Sequence, residues 1–159
     1  MKYVIALLAF AGMVVSGMAL RVHNQDPSQA PPCAVTEKFD CGAVNHSRFA
    51  DFPPRGFDED ASSHKMHVPV ATLGLIGYAA IAIFALLGRM YVVLELARWG
   101  FFFAAMLTYL EAFVLEKWCI YCLWSQGIVA TILVVTTGVV VWRWFQNRRR
   151  VVQEVGGGI

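Results

Sequence analysis

Four long apolar stretches, residues 3–20, 68–88, 99–115 and 120–145, dominate the chain. Each approaches the roughly 20 apolar residues a helix needs to cross a bilayer, where backbone donors and acceptors must be satisfied within the segment. With 58% hydrophobic residues in a chain of 159, too little polar surface remains to wrap a water-soluble domain around them. The expectation is an all-α integral membrane protein forming a single domain. It is a four-transmembrane-helix bundle with both termini on one side, an extracytoplasmic cap loop over residues 21–67 and a cytoplasmic basic tail over residues 146–159.

The formal charge of +2 is small, so the placement of the basic residues carries the argument. In this topology Lys2, Arg89, Arg98, Arg143 and Arg148 to Arg150 share the face that the positive-inside rule assigns to the cytoplasm. The loop then faces outward. In a bacterial inner membrane that side is the oxidising periplasm, where thiol pairs form disulfides. Lys2 and the small residues at Ser16-Gly17-Met18-Ala19 also fit a cleaved signal peptide, and either reading leaves the loop outside. The tail suits contact with lipid headgroups. The chain has no GxGxxG or Walker-type phosphate loop, and no nucleic-acid partner is expected.

The loop contains Pro27, Pro31, Pro32, Pro53 and Pro54, which oppose long regular helices, and the acidic run Asp58-Glu59-Asp60. A segment of this length in so small a protein is usually functional or disordered. Two of the four cysteines, Cys33 and Cys41, lie in it and favour function. Phe49, Phe52 and Phe57 form an apolar strip suited to resting on the membrane, while His23, His46, His64 and His67 fit no zinc spacing and most of them are expected to be solvated.

The other two cysteines form Cys119-Ile120-Tyr121-Cys122 at the outer end of the fourth stretch. Residues three apart share a helix face, so the pair can close a disulfide, and a helix N-terminus favours thiolate. Leu123 after Cys122 argues against c-type haem attachment. Four readings remain: the CxxC as a pair of small buried residues packing in the bundle, a structural zinc site made by all four cysteines, a Cys33–Cys41 staple in a non-catalytic loop that docks a partner, and a relay in which thiolate–disulfide exchange moves electrons between the pairs. The relay is the first reading. It needs a terminal acceptor, and the lipid-soluble candidate is a quinone.

Candidate substrate-binding residues follow from position. Ser125 and Gln126 lie three and four residues after Cys122, on its helix face. Glu111 sits about one turn inside the third stretch, where a carboxylate must face the bundle, and Tyr78 is a candidate for the ring pocket.

Taken together, Cys33-x7-Cys41, the serine of Ser47-Arg48-Phe49, the opening Pro69-Val70-Ala71-Thr72-Leu73-Gly74-Leu75 and Cys119-Ile120-Tyr121-Cys122 make the chain resemble the vitamin K epoxide reductases and their bacterial homologues. The resemblance covers most of the chain. It implies a capped four-helix bundle around a quinone (ubiquinone or menaquinone) with no metal. It also implies that Cys122 lies nearest the quinone, that Cys119 exchanges with the loop pair, and that Cys33 and Cys41 take electrons from a partner. Ser47 looks like the family's loop hydroxyl, and Gln126 stands where the vertebrate enzymes carry a quinone-binding tyrosine. Many bacterial homologues continue into a thioredoxin-like domain. Here the expected donor is a separate periplasmic DsbA-like thioredoxin-fold protein, and the expected reaction is thiol:quinone oxidoreduction sustaining disulfide formation. Reduction of a quinone epoxide is the alternative within the same chemistry.

Overall fold

The computed structural model describes residues 1–26, 36, 38–54 and 67–156, the side chains of 151–156 aside. Five helices organise it: α1 (Lys2–His23), the short α2 (Cys41–Asn45), α3 (Val70–Leu86), α4 (Met90–Leu110) and α5 (Ile120–Gly156). α1 packs against α3 and α5, and α4 packs against the same two, which closes a four-helix ring. The stretches Lys2–His23, Met90–Leu115 and Ile120–Arg150 are long and apolar enough to span a bilayer. α3 has 17 residues, about 25 Å at 1.5 Å per residue, and reaches the short end of the spanning range.

Side chains are distributed as lipid would demand. Large apolar residues point outward, with Val134 72% and Phe113 71% exposed. The helix contacts use small residues such as Ala9, Ala85 and Ala97, which let backbones approach closely. Gly12 shows why: a Cβ there would penetrate the ring of Tyr78. α1 supplies Ile5 and Ala9 to the core and Gly12 to the Tyr78 contact, so it packs as a member of the bundle.

Two boundaries differ from the hydropathy reading. The third helix begins at Met90 rather than at residue 99, after a turn in which Gly88 adopts φ +75°, open to glycine without strain. Arg98 and Glu95 lie one turn apart and pair at 2.5 Å, so charge that lowers hydropathy leaves the helix intact. α5 likewise continues past residue 145 to Gly156, so most of the basic tail is helical. Its 37 residues measure about 55 Å, well beyond a ~30 Å hydrocarbon core. Arg148 lies over the Trp144 ring at 4.6 Å, within its extension.

The cap covers the end of the bundle opposite the termini. Two short strands, β1 (Asp51–Phe52) and β2 (Val68–Pro69), pair antiparallel and bring the loop back to the start of α3. Upstream, the main chain beside Phe39 pairs in parallel with that beside Trp118. Trp118 N donates to Lys38 O at 2.8 Å and Asp40 N to Trp118 O at 3.1 Å. α2 starts immediately afterwards, with the Asp40 carboxylate accepting from Ala43 N at 3.0 Å as an N-cap.

Candidate active site at the capped end

The parallel bridge places Cys41, the first residue of α2, beside Cys119, the residue before α5. Both are fully buried and share one cluster with Val22 and Val44, against which Leu115, Ile120, Tyr121 and Cys122 pack. Cys41 is disulfide-bonded, whereas Cys119 and Cys122 are free thiols. Cys33 lies outside the described residues, as do Phe57, the run Asp58-Glu59-Asp60 and His64. Among the described residues no group of three His, Cys, Asp or Glu is placed to hold a metal.

Asn45 joins the two redox segments. Its Nδ2 donates to Cys41 O at 2.8 Å and contacts Cys119 Sγ at 3.6 Å, a donor well suited to a sulfur carrying negative charge. Sequence reasoning passed over this residue because an asparagine in a loop ordinarily signals a turn. The available signal was its position four residues after Cys41, which on a helix turns its side chain back toward the cysteine.

Cys119 lies outside the membrane-spanning helices, and its thiol titrates below the usual cysteine range. The main cause is a hydrogen bond from the Cys122 side chain; burial and the Glu111 charge oppose it, and main-chain contacts at Cys122 and Tyr121 assist. The CxxC pair is thus asymmetric. Cys119 is favoured as thiolate, the form that attacks disulfides.

Glu111 opens a π-helical turn, Glu111–Leu115, that terminates α4, and Glu116 reverses the chain in the left-handed region at φ 51°. The Glu111 side chain is 2% exposed, and its Oε2 accepts the Cys119 N–H at 3.0 Å. This carboxyl therefore caps the chain at the mouth of α5.

Below Cys122 lies a belt of paired polar side chains. Tyr78 donates to Ser125 O at 2.8 Å, and its oxygen also lies 2.9 Å from Ser125 Oγ, so the serine hydroxyl is left to donate back to the phenol. Gln126 meets Thr108, whose hydroxyl also contacts Ala104 O at 3.0 Å. Thr108 has one proton; when it goes to the main chain, the Gln126 amide nitrogen faces the hydroxyl. Ser47 stands apart from this belt, in the cap, where its Oγ donates to Val44 O at 2.7 Å.

His23 and His46 are not the solvated residues expected. Their rings stack at 6.1 Å and 9°. His23 reaches Asn45 O at 2.5 Å and lies 3.5 Å from the buried Asp51 carboxylate, while His46 contacts Gly42 O and Gln25 O at 2.9 and 3.0 Å. They tie α2 to the end of α1. Phe52 is 55% exposed, and Arg48 covers the Phe49 ring at 5.7 Å.

A membrane bundle capped by a redox loop, with a CxxC at the mouth of its last helix, agrees with a comparison of the sequence with family models: the model described as the vitamin K epoxide reductase family matches residues 3–137. The chain belongs to the vitamin K epoxide reductase family. It is therefore a multi-pass membrane oxidoreductase of the quinone and quinone-epoxide class. No curated protein matches the chain. Tyr78, Ser125, Thr108 and Gln126 carry hydroxyl and amide groups, here paired with one another, of the chemical kind that bonds ring carbonyls.

Proposed function

We propose that the protein is a thiol:quinone oxidoreductase of a bacterial inner membrane with its cap in the periplasm. It would carry electrons from a separate DsbA-like thioredoxin-fold protein to ubiquinone or menaquinone and so sustain disulfide formation. The observation that carries this reading is the burial of Cys41 and Cys119 in one cluster, with Asn45 bonded to both.

The partner's dithiol reduces the loop disulfide and leaves oxidised. Cys41 thiolate then attacks Cys119 Sγ of a Cys119–Cys122 disulfide, and Cys122 departs as thiolate and takes up one of the protons released by the upstream thiols. Cys33 resolves the mixed disulfide by attacking Cys41 Sγ, and Cys119 departs as thiolate. The outcome is a loop disulfide with a free CxxC, the arrangement described above. Asn45 and the Cys122 hydrogen bond would hold the charge on Cys119. A bound quinone supplies the capacity to take up two electrons and two protons. Tyr78, Ser125, Thr108 and Gln126 would hold and orient it, and the surrounding apolar side chains would exclude water. Ser47 would brace the C-terminal end of α2 through Val44 O.

The deciding experiment supplies purified protein with a reduced thioredoxin-fold oxidant and follows quinone reduction in wild type, Cys119→Ala, Cys122→Ala and Cys33→Ala. Expected is turnover in the wild type and its loss in all three variants, with a small membrane-permeant dithiol restoring only Cys33→Ala. A wild-type protein that reduces no quinone while Cys41 stays disulfide-bonded would instead establish the stapled, non-catalytic loop.

A further inference from the structure

Glu111 has an unused half. Oε2 is committed to the Cys119 N–H, but Oε1 is buried and has no hydrogen-bond partner. Buried polar atoms are nearly always satisfied, and an exception asks for an explanation. A carboxyl at the end of a membrane span is also expensive to keep. The groups that act on it are the main chain of Cys119 and the side chain of Cys122. The residues clustered at this end, Val22 of α1, Val44 of α2 and Leu115, Ile120 and Tyr121, are uncharged, and among the ionisable groups of the cap His23, His46 and Asp51 engage one another and main-chain oxygens around α2. A carboxyl used only for capping would need one oxygen. This one keeps a second, unbonded oxygen, and its side chain acts on the thiol that the relay places last before the acceptor.

We propose that Glu111 is a catalytic proton carrier, which takes the thiol proton of Cys122 when the Cys119–Cys122 disulfide forms and returns it to the reduced acceptor. The assignment rests on the relay reading. In the step, the Cys122 S–H bond breaks, its proton moves to Glu111 Oε1, and the S–S bond forms as two electrons leave the pair. The acceptor gains those electrons and two protons. One comes from Cys122 through Glu111. The other comes from water and matches a proton that the relay's thiols released upstream, since Cys119 leaves the mixed disulfide already as thiolate. Cys122 lies within the membrane-spanning stretch Ile120–Arg150, whereas Cys119 precedes it at the cap, so a proton leaving Cys122 does so on the membrane side.

The test is Glu111→Gln, which keeps an oxygen to accept the Cys119 N–H but cannot carry a proton. In oxidised-minus-reduced infrared difference spectra, with the pair oxidised by a small disulfide reagent and no quinone present, wild type should show a change in a carboxyl band. Glu111→Gln and Cys122→Ala should lack it. Turnover with quinone should fall about 100-fold or more in Glu111→Gln, the range of lost acid–base catalysis, with partial recovery in Glu111→Asp. A carboxyl band that persists in Glu111→Gln, or wild-type turnover in that variant, overturns the assignment. Should Glu111→Gln fail to fold, the wild-type and Cys122→Ala spectra decide alone, since a change that survives without the Cys122 thiol also overturns it. A wild type with the carboxyl change but no quinone reduction keeps Glu111 as the proton carrier and removes the quinone reading.

Discussion

The two ends of the bundle are built on different principles. Toward the termini, Ile5, Ala9, Ile81, Ala85, Val93, Ala97 and Ile132 fill a dry core whose cohesion is contact between side-chain volumes. At the capped end the equivalent layer holds two cysteines, an asparagine and a carboxyl, positioned by directional bonds from Asn45, Glu111 and the main chain around Trp118. Volume contacts tolerate many substitutions at gradual cost. Hydrogen-bonded sites fix atoms to within an ångström and fail sharply. Stability should therefore reside mainly in one end and chemistry in the other.

The strongest challenge to that division is a truncation in the dry end. Ile132→Ala should cost about 2–5 kcal/mol of unfolding free energy, read by thermal or denaturant unfolding in detergent. Turnover per folded molecule should remain near wild type; a collapse in turnover would show the ends to be coupled. The reciprocal test is Asn45→Ala, expected to cost about 1–3 kcal/mol at the site and so to slow formation of a trapped Cys41–Cys119 disulfide roughly tenfold or more. It should lower unfolding stability less than Ile132→Ala does.

A third measurement sharpens the account of the capped end. Because the Cys122 hydrogen bond lowers the titration of Cys119, Cys122→Ala should move the alkylation pH profile of Cys119 to higher pH, leaving less thiolate at neutrality. A shift to lower pH would show that burial beside Cys122, rather than its bond, dominates. The smallest effect belongs to the dry end, where the fully buried Thr136 hydroxyl has no partner. Thr136→Val keeps the shape and should raise stability by about 1 kcal/mol with no effect on turnover.

The sequence announced the dry end more readily than the capped one. Hydropathy marked the four long helices, because burial in lipid is a property of composition, but it did not give the ends of α4 and α5. Helical hydrogen bonding continues through Glu95, Arg98 and Arg148 wherever it likes, while hydropathy marks only the bilayer. The CxxC and its position were legible because chemistry requires those residues at that spacing. Asn45, the stacking of His23 on His46, and the unpaired oxygen of Glu111 were not, since each depends on which segments meet in space. Tyr78, Ser125 and Gln126 could be nominated from helix periodicity, yet their pairing with one another and with Thr108 depends on the rotation of α3 and α4 against α5.

The two main-chain bonds at Trp118 carry a consequence for how this architecture can vary. They set the alignment of one cysteine pair against the other using atoms that every residue except proline possesses. Side chains at 38, 39 and 118 can therefore drift toward whatever a partner's surface prefers without moving the sulfurs relative to each other, while Asp40 is held as the cap of α2. What the arrangement forbids is a change in chain length between Lys38 and Cys41 or between Trp118 and Cys119, or a proline at Asp40 or Trp118. Across diverging sequences the docking face can be rewritten while the wiring beneath it keeps its gauge.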